Sequence, residues 1–200
     1  MKRYTFLVIL LFIVCFSSAQ SFKGGMVVGL AATQVTGDKL SGYNHPGVQL
    51  GVFTELPTGQ KSALRMEMYY IQKGSRKNDT ETNPGSYVQR LNYIEVPLIY
   101  QYKPFNKLSF HAGLSLAYLF SAIDKIDGDK VRSDAVDARN PFDFSIQGGG
   151  MWSFNDKWKI SLNYSYSILP IRDAPTYSNM AYHDRKQYND VVLISLFRYF

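Results

Sequence analysis

One alternation limits what this chain can fold into more than any other feature. Across residues 92–102, Ile94, Val96, Leu98, Tyr100 and Tyr102 fall on one side, and Tyr93, Glu95, Pro97, Ile99 and Gln101 on the other. Successive side chains of a β-strand point to opposite faces, so a period of two is a strand signal. The same alternation recurs in other segments, and in most of them the second face is small or polar. A soluble barrel packs its apolar face inward. Here the large apolar residues belong outside and the small and polar ones inside, which suits a barrel dissolved in lipid.

The N-terminus reads as an export signal. Lys2 and Arg3 precede an uncharged apolar run at 6–16, and Ser17, Ser18 and Ala19 supply small residues before a cut ahead of Gln20. Residues 1–19 are therefore expected to be a signal peptide and 20–200 the mature barrel domain. The run is shorter than the ~20 residues of a membrane-spanning helix. Cys15 follows Val14, where a lipoprotein site needs a small residue, so lipidation is not expected. Cleavage removes the only cysteine, and with it any disulfide or thiol chemistry. It also lowers the formal charge of +6 by two. The remaining mild basicity suits anionic lipid headgroups and gives no reason to expect nucleic acid. Nothing in 20–200 resembles a transmembrane helix, so a mature chain in a membrane must be there as a closed sheet.

Eight strands are expected, at 22–34, 47–56, 62–73, 91–102, 108–120, 142–153, 158–169 and 188–200. Most exceed the usual ~5–6 residues of soluble strands and match the ~9–11 that a tilted strand needs to cross a bilayer. Connections 57–61, 103–107 and 154–157 are short; 35–46, 74–90, 121–141 and 170–187 are long. Strict alternation of short and long marks tight periplasmic turns and longer outer loops. The fold class is thus all-β, an eight-stranded antiparallel transmembrane up-and-down β-barrel of a Gram-negative outer membrane. Both termini fall on the periplasmic side. Fifteen Tyr and 13 Phe fit this picture. Tyr100, Tyr102, Phe154, Trp158 and Phe200 are candidates for a periplasmic aromatic girdle, and Tyr70 and Tyr118 for an outer one, although strands are rich in aromatics in any setting.

With even positions of the first seven strands facing out, the interior receives Gly25, Val27, Gly29 and Ala31, then Arg65, Glu67, Tyr69, Ile71 and Lys73, then Glu95. His111, Ser115, Asp143, Gln147, Lys159, Ser161, Asn163 and Ser165 complete it. The facing of the last strand stays open. Val192, Ile194, Leu196 and Phe200 suit one register, in which Arg198 is an oddity; Phe197 and Tyr199 suit the other. Eight strands leave room only for side chains, and a buried carboxylate needs a cation. Glu67 and Glu95 are therefore expected to meet Arg65, Lys73 or Lys159 in a polar network that also holds His111 and Asp143. Hairpin register through the short turns sets Gly51 beside Glu67 and Gly113 beside Pro97. Pro97 cannot donate to the ladder, so a bulge or a lost hydrogen bond is expected there.

Chemistry-bearing patterns are few. His111, Glu95 and Ser115 are residue types that hydrolases use, yet polar groups fill every barrel of this kind, and no catalytic residue is assigned. His45 and His183 are isolated on outer loops, which gives no metal-ligand spacing. Gly148, Gly149 and Gly150 lie in mid-strand with no helix after them, so they are not a phosphate loop. Asn78, Asp79 and Thr80 match a glycosylation sequon that carries no weight in a bacterium. No cofactor or metal is expected. The outer loops carry cations, Arg76 and Lys77 at one rim and Arg172, Arg185 and Lys186 at another, which suit lipopolysaccharide phosphates; a solvated loop explains them equally well. Terminal Phe200 with apolar residues at alternate positions before it is the kind of signal the barrel assembly machinery reads.

Several segments resemble one family. Residues 65–74, reading RMEMYYIQKG, resemble the "ELlYsqkG" pattern of PorT-type outer-membrane β-barrel domains, and 93–98, YIEVPL, their "YlEiPl" strand. Lys23, Gly24 and Gly25 resemble the opening "kgG". Phe142-Asp143-Phe144, the glycine triplet and Tyr164-Ser165-Tyr166 sit where related patterns recur. The resemblance spans the mature chain and implies a barrel related in architecture to the small OmpA and OmpX barrels, without catalytic residues. Some relatives serve protein secretion. The expected function is a non-enzymatic outer-membrane protein whose outer loops bind lipopolysaccharide or dock a partner, by analogy a secretion-machinery protein. The alternatives are a small passive channel and a lipid A-modifying enzyme; a secreted lipocalin-like barrel would need an apolar interior.

Overall fold

Alternating apolar residues build long strands here, and short polar turns reverse them. The computed structural model describes residues 22–38, 40, 42–79, 85–127, 129–131, 139–173 and 186–200. The strands are β1 (Lys23–Thr36), β2 (His45–Pro57), β3 (Ser62–Lys77), β4 (Tyr87–Tyr102), β5 (Leu108–Ile126), β6 (Asp129–Val131), β7 (Phe142–Ser153), β8 (Trp158–Ser167) and β9 (Tyr188–Tyr199). Each pairs antiparallel with its neighbours, and β1 pairs with β9 to close the ring. Eight strands make the barrel; β6 is a three-residue strand that folds back on the outer end of β5. Closure matters in lipid, where an unpaired strand edge would leave backbone N–H and C=O groups unsatisfied.

The inside-out pattern holds around the ring. Val28, Leu30, Leu50, Val52, Met66, Met68, Leu98, Leu114, Ile146, Leu162 and Ile194 are exposed, while their odd-numbered neighbours are buried or, at Gly29, Gly51 and Gly113, half-buried. The last strand follows the same parity. Phe197 and Tyr199 point inward, Ile194 and Leu196 outward, and Arg198 lies on the outer side at the periplasmic rim, over the Trp158 ring at 5.2 Å. Near the interface an outward arginine is cheap. At the other end of the bilayer Tyr70, Ile94, Tyr118 and Phe142 stand opposite one another on four successive strands, with Tyr118 and Phe142 in ring contact at 5.6 Å. That row is the outer aromatic level.

Two turn registers and the ends of three strands need correction. Gly51 lies opposite Tyr69, and Phe53 opposite Glu67; Gly113 lies opposite Ile99, and Pro97 opposite Ser115. Both short turns close later along the chain than expected, which moves each partner by two residues and keeps the faces unchanged. A Cβ on Gly51 would stand 2.4 Å from the Tyr69 Cβ, so the glycine is what lets that tyrosine lie across the lumen. Pro97 causes no bulge: the β3–β4 pairing skips Glu67–Pro97 and Met68–Val96 without changing register, the lost-bond alternative. The bulge lies at Phe120, between the pairs Tyr93–Leu119 and Asn92–Ser121. Beyond it the inward parity of β5 changes, and Asp124 turns inside. Finally, β3, β4 and β5 continue past their expected ends into polar sequence, where Arg76, Val88 and Lys125 lie in one cross-strand row.

Candidate functional site

The lumen is filled by two charged knots at different heights. The knot nearer the periplasmic turns is built on Arg65. Its Nε donates to Glu67 at 2.7 Å, Nη1 donates to Gln101 at 3.0 Å, and Nη1 lies 3.9 Å from Glu55. The guanidinium also lies over the Phe197 ring at 4.8 Å. Tyr199 donates its hydroxyl to Glu55 at 2.7 Å, and Lys159 sits over the Tyr199 ring at 3.8 Å. Lys159 thus meets neither Glu67 nor Glu95; an aromatic face takes the place of the expected carboxylate.

The second knot is built on Lys73. Its Nζ lies 2.8 Å from Glu95 and 3.0 Å from Asp143, and all three side chains are buried. Ser115 donates to Glu95 at 2.6 Å. Ser167 and Asn189 donate to Asp143 at 2.7 and 2.8 Å. A cation flanked by two carboxylates, each with further donors, is how a buried ionic group becomes tolerable. Asn189, Phe197 and Tyr199 were not expected in the network; the open facing of the last strand had hidden them.

Between the knots Gln147, Asn163 and His111 form a chain, Asn163 donating to Gln147 and His111 Nε2 lying 3.3 Å from Asn163 Oδ1. The void there is about 10 Å³, lined by Gln49, Tyr69, His111, Gln147 and Asn163 among others. That is about the space of a single water probe. His111 and Ser115 are not brought together. The histidine bonds Asn163, and the serine bonds Glu95 and Ser145, so the imidazole is not paired with the hydroxyl. Among the described residues no group of three or more His, Cys, Asp or Glu side chains gathers around a point.

The outer end sorts the loop cations. Arg76 is exposed on the outward face of β3, with Arg90 on the adjacent β4 and Lys125 on β5 beyond it. All three stand above the Tyr70–Phe142 aromatic row. Arg90 and Lys125 were missed because both fell in segments read as loop. Lys77 is half-buried. Arg172, bridged to Gln187, is half-buried near Arg139, Asp124 and Tyr87. Burial first, then the Arg139 charge, push its guanidinium below the ordinary arginine value. Arg139 Nη2 donates at 2.9 Å to both oxygens of the Asp124 carboxylate, an ion pair that no local pattern announced. Lys186 is exposed; Arg185 and His183 lie outside the described residues, as does the expected signal peptide. His45 is no loop residue. It opens β2, buried, with Nδ1 3.2 Å from Thr33 Oγ1.

The outer membrane protein beta-barrel domain family matches residues 17–173. The chain belongs to that family. Its place is therefore the outer membrane of a Gram-negative bacterium, and the match is to this general family rather than to the narrower PorT type. The barrel is similar in fold to two solved structures. One is Neisserial surface protein A, with 11% identity over 90% of this chain and 97% of that one, at a TM-score of 0.51. The other is Ail, the attachment invasion locus protein of Yersinia pestis, with 10% identity over 89% and 98%, at 0.50. No curated protein matches the chain by sequence.

Proposed function

We propose that this family member is a non-enzymatic, non-conducting barrel whose outer end holds lipopolysaccharide phosphates and presents its loops for docking. The observation that carries the reading is the cluster of Arg76, Arg90 and Lys125 on the outer extensions of β3, β4 and β5, beyond the outer aromatic level. Aromatic side chains settle at the membrane–water interface, so cations just beyond them stand at the height of the headgroup phosphates. Guanidinium groups suit phosphate oxygens through charge-assisted, bidentate bonds. Against a channel stand the two charged knots, with a void of only about 10 Å³ among the described residues between them. Against a lipid A-modifying enzyme stands the separation of His111 from Ser115 inside the barrel. Exposed Phe200, with Leu196 and Ile194 outward before it, supports recognition by the barrel assembly machinery. The PorT-like segments in β3 and β4 support a secretion-machinery partner by resemblance only.

The test compares wild type with R76Q/R90Q/K125Q, refolded and titrated with lipopolysaccharide. The reading expects the triple variant to bind about tenfold or more weakly, with binding that falls as salt rises. Equal affinity would overturn it.

A further inference from the structure

The opposite, periplasmic end of the barrel carries a second basic feature, and it is concave. A pocket of about 310 Å³ is lined by Lys23 at the start of β1, Lys103 and Lys107 in the β4–β5 turn and Lys159 in β8. Its floor is the half-buried Lys159, whose ammonium lies 3.8 Å from the centre of the Tyr199 ring. Lys103 and Lys23 stand close enough to repel that ammonium. The carboxylate that attracts it, Glu55, is already engaged by the Tyr199 hydroxyl at 2.7 Å and by Arg65 at 3.9 Å. Among the described residues Asp156 is the only acid in the wall, and none of the four lysines has a carboxylate within ion-pair distance. Asn155 adds neutral donors. Its Oδ1 accepts from Lys157 and Trp158 N–H, both at 2.9 Å, which leaves its amide N–H groups for the pocket.

Converging like charges raise the free energy of the empty pocket, and a bound anion removes that penalty. We propose that the periplasmic mouth binds a small phosphate-bearing polyanion, on the scale of a diphosphate, seated on Lys159 and ringed by Lys23, Lys103 and Lys107. The chemistry of the wall selects the ligand. Ammonium groups act as point charges with several donors and suit a tetrahedral anion rich in oxygens, whereas a planar carboxylate is matched by the arginine fork. Among the described residues no arginine lines this pocket. The volume is at the small end of the ~300–1,000 Å³ typical of small-molecule sites. A soluble phosphate compound of the periplasm and the headgroup of an anionic phospholipid present the same group.

The site lies at the other end of the molecule from the Arg76 row, so the two ideas stand or fall separately. The experiment is titration calorimetry of the refolded barrel in a neutral detergent with inorganic diphosphate. Saturable one-to-one binding is expected, weakened about tenfold or more in K159M and in the turn variant K103Q, and unchanged in K61Q, an exposed turn lysine that does not line the pocket. Heat-modifiable gel mobility checks that each variant is folded, and K103Q, on an exposed turn, keeps the test valid should K159M fail to refold. Repetition in nanodiscs with and without phosphatidylglycerol separates the sources. Displacement of diphosphate by the lipid assigns the pocket to a headgroup, and retention assigns it to a soluble phosphate. No saturable binding, equal binding by both lysine variants, or tighter binding of tetraglutamate than of diphosphate overturns the proposal.

Discussion

Arg65 and Lys73 are both buried cations of β3, four inward positions apart, yet they are held in different ways. Lys73 has two carboxylates, at 2.8 and 3.0 Å. Arg65 has one close carboxylate at 2.7 Å, with the second at 3.9 Å, and makes up the difference with Gln101 and the face of Phe197. The contrast follows from side-chain shape. A compact ammonium can be enclosed by anions, whereas a planar guanidinium offers edges to oxygens and a face to an aromatic ring. It also follows that the Lys73 knot depends on one cation to offset two carboxylates, while the Arg65 knot spreads its charge over more partners.

The comparison can be broken most strongly by removing Lys73. K73M leaves Glu95 and Asp143 side by side without a cation, and should destabilise the folded barrel by about 3–5 kcal/mol. Urea titration in lipid vesicles, followed by the fluorescence of Trp152 and Trp158, reads this directly. R65M should fall at the lower end of that range, about 3 kcal/mol, because Glu55 keeps the Tyr199 hydroxyl. An equal or larger loss for R65M would invert the contrast drawn above. Restoring neutrality sharpens it: K73M/E95Q/D143N should recover much of what K73M loses, since a whole buried ion cluster replaced by neutral groups is often tolerated.

A smaller effect belongs to Asp38, beyond the outer end of β1. Burial holds its carboxyl above the ordinary value, although Leu40 N–H donates to it at 2.8 Å. A raised carboxyl value means the charged form is disfavoured in the fold. D38N should therefore be slightly more stable than wild type at neutral pH, by less than about 1 kcal/mol. That advantage should shrink as pH falls through the raised value and be gone below the unfolded carboxyl value. Equilibrium unfolding at pH 4 and pH 7 checks the sign. At the bottom of the scale, R76Q should leave stability within about 0.5 kcal/mol, because Arg76 is exposed.

What could be read in advance, and what could not, divides along the range of the interaction. Inward positions such as Arg65, Glu67, Lys73, Glu95 and Asp143 follow from a period of two, which is a property of the strand itself. The Phe120 bulge does not, because its extra residue is defined only by the partner strand. The shifts at Gly51 and Gly113 come from turn geometry, which the short polar segments 57–61 and 103–107 do not specify. Polar Ser75, Arg76 and Lys77 looked like loop, yet pair with Gln89, Val88 and Tyr87 respectively. The Arg139–Asp124 pair folds across the long β5–β7 connection, and the four-lysine pocket joins β1, the β4–β5 turn and β8, so no local pattern in the sequence marks either.

The central claim is that the charged knots close the lumen and leave the protein's work to its two ends. Single-channel recording of the refolded barrel in a planar bilayer tests it most directly. The account predicts a quiet baseline, with no steady unitary current, because the two charged knots fill the barrel and the void described between them is about 10 Å³. A reproducible open level of constant conductance would contradict it.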